Sequence, residues 1–189
     1  MKENKNYLWS LLLLVLVAAL YRIVPGRPVG FAPQWAMAVF AGAVIKDRTW
    51  AFLFPVISMF LSDLLFQVLY LRGVSAYPGF YEGQWQNYAL FALLVVTGFM
   101  IKRLNVYQIV LASFASTTLY FLLSNFIVWA GWSGTRGWNR PKTWDGLLFC
   151  YQDGIPFYKT SLEATAVFSI VLFGSYYLIQ RRKVGLAKA

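Results

Sequence analysis

The chain has 189 residues, of which 59% are hydrophobic and 13% charged, with a formal net charge of +10. An ordinary soluble domain carries about 25% charged residues, so the composition excludes a water-soluble domain and makes lipid the solvent for most of the chain. The 17 Lys and Arg sit mainly at the ends of apolar runs and form no single patch for nucleic acid, while a lone Cys150, no His and no CxxC exclude an internal disulfide and the usual zinc, haem or iron–sulfur ligand sets.

The expected organisation is an all-α membrane protein, a single transmembrane domain over 1–189 with six helices. Lys2 and Lys5 before an apolar run resemble a signal peptide, but the run is long and Arg22 follows it directly without a convincing small-residue cleavage site, so it reads as an uncleaved helix 1 over about 7–24. Pro25-Gly26-Arg27-Pro28 ends it. Helix 2, about 33–45, is short for a span of roughly 20 residues. Its Ala36, Ala38, Ala41, Gly42 and Ala43 would let another helix backbone approach closely. Lys46-Asp47-Arg48 turns into helix 3, about 50–71.

A loop rich in Gly, Tyr and Pro leads to helix 4, about 86–101, and a short basic turn leads to helix 5, about 106–132. The most polar loop follows, carrying Trp132, Arg136, Trp138, Arg140, Lys142 and Trp144. The segment at about 145–155, with Asp153, Gly154 and Pro156 at its end, reads as an outer interfacial or re-entrant piece, and helix 6 covers about 156–179 before Arg181-Arg182-Lys183. With both termini in the cytoplasm, ten Lys and Arg lie inside and seven outside, and the three long loops lie outside. That puts the chain in a bacterial cytoplasmic (inner) membrane, with any recognition on the outer face.

Asp63 lies about 13 positions into helix 3, roughly 20 Å from its inner end. A carboxylate there faces a cavity, a partner or a functional site; it is either a ligand for a substrate or a structural bond to another helix. Ser113, Ser116, Thr117, Tyr120 and Ser124 recur at steps of three and four, a polar stripe that must point into the bundle. Asn125 and Trp129 lie beyond it. Lys159 and Glu163, four apart, are placed to pair with each other. Aromatics beside Arg136 and Arg140 suit either an interfacial belt or a lid over a planar or anionic molecule. No GxxxxGK[ST], GxSxG or HExxH occurs, so no catalytic residue, cofactor or metal is expected and the chain reads as a non-enzyme that does not itself hydrolyse ATP.

The stretch Arg27 to Ala43 (RPVGFAPQWAMAVFAGA) resembles the "PNFxPvxAlAlFgGa" signature of an uncharacterised bacterial membrane family grouped with the substrate-binding S components of energy-coupling-factor (ECF) vitamin transporters. The likeness extends to Pro55 and Ser62-Asp63, to 120–129, to Pro141–Tyr151, and to Ile155–Tyr158 and Leu172–Gly174. It implies a six-helix bundle that binds a vitamin or related micronutrient in an outer cavity and works with a separate transmembrane coupling subunit and ATPases. Helix 1 lacks the AxxxA pattern with which many S components meet that subunit, and the nearest small-residue pattern is in helix 2. The absence of an N-terminal His disfavours cobalt or nickel uptake. The expected substrate-binding residues are Gln34, Trp35, Asp63, Asn125, Trp129, Arg140 and Tyr151: Asp63 and Asn125 by hydrogen bonds, the aromatics by stacking, Arg140 by holding a negative group. The alternative is a structural or assembly subunit of a larger membrane complex, with helix 2 and the aromatic loops as contact surfaces.

Overall fold

In lipid every backbone N–H and C=O must bond within the chain, and an apolar run satisfies this locally only as a helix. The computed structural model describes residues 5–131 and 140–186, and the side chains of 13–131 and 140–181. It contains six helices among them: α1 (Lys5–Arg22), α2 (Gln34–Val44), α3 (Arg48–Leu71), α4 (Gln84–Phe99), α5 (Val106–Ala130) and α6 (Trp144–Leu186). Three are long and apolar enough to cross a membrane: α3 with 24 residues, α5 with 25, and α6 over Trp144–Arg181 with 38. The chain is therefore an all-helical, membrane-associated protein. Six spans were expected; α2 with 11 residues and α4 with 16, about 16 and 24 Å of helix, fall short of the roughly 20 residues of a span, while α1 has 18.

The shortest helix is the innermost. Residues Gln34 to Ala41 of α2 are all buried, and α2 packs against α3, α4, α5 and α6. Its small residues are used within the chain: Ala36, Ala38 and Ala41 have no exposed surface. A Cβ on Gly42 would overlap the Val95 carbonyl of α4, and one on Gly98 would overlap the Val39 carbonyl of α2. The two glycines thus let the α2 and α4 backbones touch, which corrects the reading of helix 2 as a surface for a partner. Outside this centre, Leu13, Leu16, Val17 and Leu20 of α1 and Ile170 and Val171 of α6 are exposed, an apolar rim suited to lipid.

A second correction concerns the segment at 145–155. It is helical and continuous with the last helix, so α6 begins at Trp144 and runs through Pro156. The proline ring removes one intrahelical bond, that to the Gln152 carbonyl, and the helix continues because α5 supports it along its length. The expected pair of Lys159 with Glu163 does not form. Both side chains are exposed, and the salt bridges among the described residues are Arg22–Asp63 and Arg140–Asp153.

Candidate functional site

Asp63 is 1% exposed, two turns before the end of α3. One of its oxygens takes Arg22 from the last turn of α1; the other takes the Gln84 amide and the Tyr88 hydroxyl from the first turns of α4, the latter at 2.9 Å. The same Arg22 nitrogen reaches the Ser62 hydroxyl at 2.6 Å. Hydrogen bonds and an opposite charge hold Asp63 on every side, and they fasten α1 and α4 to α3. Arg27, in the α1–α2 loop, donates to the Arg22 carbonyl at 3.2 Å and to the Phe31 carbonyl at 2.7 Å, which folds the loop against the end of α1. Burial first, and then the charge of Arg22, lower the pKa of Arg27 from its ordinary value, though an arginine remains protonated throughout the usual range.

Gln34 and Trp35 open α2. Both are buried, and both amide atoms of Gln34 and the indole nitrogen of Trp35 have no hydrogen-bond partner. The Trp35 ring packs at 5.5 Å on Phe91 of α4 and at 5.5 Å on Tyr120 of α5. Ser116, one turn before Tyr120, is a further buried hydroxyl without a partner. Tyr120 itself donates to Asn87 of α4 at 3.1 Å.

The other face of Tyr120 belongs to a cavity of about 180 Å³ between α5 and α6. On α5 it is walled by Thr117, Tyr120, Phe121, Ser124 and Asn125; on α6 by Gly154, Phe157, Tyr158 and Ser161. At its wall Gly154 lets α6 come close to α5: a Cβ there would press on the Asn125 amide and the Phe121 ring. Phe121 and Tyr158 stack across the helix pair with centroids 4.6 Å apart. Below the cavity the polar stripe of α5 is matched by α6, Thr117 with Thr165 and Ser113 with Ser169, each at 3.0 Å. Gly30 of the α1–α2 loop stands over Ser161 and Phe157, so that loop lies against the cavity's α6 wall.

The expected site residues fall into separate places. Asn125 lines the cavity, and Trp35 reaches it through Tyr120. Asp63 lies within its own network and Gln34 lies buried beside Trp35. Trp129 and Arg140 lie near the loop between α5 and α6, and the Tyr151 ring packs on Phe121 of the cavity wall with centroids 5.6 Å apart. The Trp129 indole donates to the Pro141 carbonyl at 3.0 Å, Tyr151 donates to the Leu122 carbonyl at 3.2 Å, and Arg140 reaches one oxygen of Asp153 at 2.9 and 2.6 Å. The charge expected to hold an anion is thus matched within the chain. The lid residues Trp132, Arg136 and Trp138 lie outside the described residues.

Sequence reasoning missed Arg22, counted only as a flanking charge, because basic residues at the ends of apolar runs are ordinary helix flanks. It missed Gln84 and Tyr88, whose spacing of four at the start of α4 puts them on one face. It missed Gly154 and Tyr158 as well, which only the approach of α6 to α5 brings to the cavity. Among the described residues no group of three His, Cys, Asp or Glu side chains gathers as a metal set would.

Over residues 2–187 the chain matches a family described as "Family of unknown function (DUF6580)". No curated protein and no solved structure matches it.

Proposed function

The chain belongs to this family of unknown function, and within it we propose that the protein is a membrane-embedded substrate-binding component for the uptake of a small organic molecule. It does no chemistry of its own; it holds its substrate between α5 and α6 and works with separate coupling and ATPase subunits, in the manner of the ECF transporter S components with which the family its sequence resembles is grouped. The observation that carries the reading is the cavity, with its aromatic stack, its amide and its hydroxyls. Small-molecule sites have this form, apolar walls with a few convergent polar groups. The unpartnered Gln34 and Trp35 behind Tyr120 add support, because buried polar atoms without partners cost about 1–3 kcal/mol each.

The topology that goes with this reading has six membrane segments and both termini in the cytoplasm. If α5 starts at the inner face, Thr117 stands about 16 Å and Asn125 about 28 Å up the helix, in the outer half of a hydrocarbon layer about 30 Å thick. The cavity then lies on the side of the long loops.

Native mass spectrometry of the protein extracted gently from its own membrane tests the reading. The expected result is one small molecule bound per chain, with any coupling subunit bound alongside it. A stable protein partner with no small molecule under any condition of growth would overturn it and favour an assembly subunit.

A further inference from the structure

Resting on that reading, and narrowing it to a chemical class, we infer that the cavity between α5 and α6 takes an uncharged, planar, single-ring molecule carrying both a hydrogen-bond donor and an acceptor, an amide or lactam edge being the simplest case. Three observations lead there. First, no charged side chain lines the cavity. A charged molecule would lose its hydration among Phe121, Tyr158 and hydroxyl groups with no counter-charge on the wall, and that penalty is severe inside a membrane. Of the charges nearby, Arg22 is matched by Asp63 and Arg140 by Asp153, and Lys159 and Glu163 are exposed and outside the cavity lining.

Second, the polar groups on the wall are of the kind that reads an amide edge. Asn125 gives one N–H to the Phe121 carbonyl at 2.8 Å, which leaves its oxygen as an acceptor and its second N–H as a donor. The hydroxyls of Ser124 and Ser161 reach backbone carbonyls only at 3.4 and 3.5 Å, at the weak limit of a hydrogen bond, so both can turn to a better partner. Third, the space is small. Its volume of about 180 Å³ is below the roughly 300 Å³ at which drug-sized sites begin, and Phe121 and Tyr158 offer a stacked aromatic edge for one ring.

The test is equilibrium dialysis on the full chain in lipid nanodiscs with two probes of one shape. Nicotinamide is an uncharged ring with a carboxamide; nicotinate is its anionic match. Nicotinamide is expected to bind at least about tenfold tighter than nicotinate, since a site that pairs a polar edge rejects the analogue it cannot satisfy. Asn125→Leu is expected to lose at least about tenfold in nicotinamide affinity, and Gly154→Ala, which drives the Asn125 amide into the cavity, a similar factor. Equal or tighter nicotinate binding overturns the inference, as does nicotinamide binding that both variants leave unchanged. The comparison of the two probes on the unaltered chain decides the matter even where a variant does not fold. Binding of neither probe also overturns the class. A charged molecule found on the natively extracted protein would then keep the uptake reading, and no small molecule at all would end both.

Discussion

The two halves of the end that carries the α1–α2 loop treat their polar groups in opposite ways. Around α1, α3 and α4, an acid, a guanidinium, an amide and a phenol close on one another: Asp63 has both oxygens occupied and Arg22 has three acceptors within reach. Between α5 and α6, an amide and two hydroxyls face an open space with no charge on its wall. The costly residues therefore hold the bundle together, and the inexpensive ones line the space in which recognition is proposed. A charge in a membrane must be satisfied at all times, bound or unbound, whereas a neutral amide or hydroxyl tolerates alternating between water and a substrate.

The sharpest way to break this comparison is Asp63→Ala. It leaves Arg22 without its counter-charge, and breaking a buried pair typically costs about 3–5 kcal/mol; with Arg22 still 21% exposed the lower end, about 3 kcal/mol, is expected. The unfolding midpoint in mild detergent reads this directly. Replacing both partners by apolar residues, Arg22→Met with Asp63→Leu, is expected to recover most of the loss, because no charge is then left unpaired. A single Asp63→Ala variant as stable as the unaltered protein but unable to bind would place Asp63 in the binding site and erase the contrast between the halves.

Next in size is Gly98→Val. The added side chain meets the Val39 carbonyl and Gly42 across the α2–α4 contact, and neither helix can withdraw without disturbing the buried α2. Overpacking of this kind costs about 1–3 kcal/mol, again read as a fall in unfolding midpoint. Retention of full stability would mean that the two backbones do not touch. A smaller effect is expected at Ser169→Ala, which removes the bond to Ser113 at 3.0 Å. Interhelical hydrogen bonds in membranes average about 0.6 kcal/mol, so stability is expected to fall by that order, with nicotinamide affinity unchanged because Ser169 lies below the cavity. A loss of binding there would show that the α5–α6 spacing, and not the cavity wall, sets affinity.

How far these features could be read in advance depends on whether their cause was local. Apolar runs, basic turns and Pro-Gly breaks are local, and they located the helices to within a few residues for α1 to α5. Asp63 was conspicuous for the same reason, a lone acid in an apolar run. Its partner was not, because Arg22 stands 41 positions away and nothing in the spacing of either residue refers to the other. The stripe on α5 told which way its hydroxyls face, and α6 supplies the partners at Thr165 and Ser169. The start of α6 was misread for the opposite reason. Asp153, Gly154 and Pro156 are local signals of a break, yet packing against α5 overrides them, and Gly154 serves the contact with Asn125.

The smallest expected effect bears most directly on the difference between a matched charge and an open amide. Arg140 pairs with Asp153 where both side chains are about a third exposed, at 33% and 38%. Water and salt screen such a pair, so Arg140→Ala is expected to cost only about 0.2–1 kcal/mol, and less at high ionic strength. Its consequence for binding is more informative than its cost. If Arg140 held an anionic group, as its place among aromatics first suggested, the substitution would weaken nicotinate and leave nicotinamide alone. With its charge matched by Asp153 and absent from the cavity wall, neither affinity should move. A drop in nicotinate affinity alone would mean that an anion can displace Asp153, and the polar groups near the α5–α6 loop would then belong to the recognising half of the molecule.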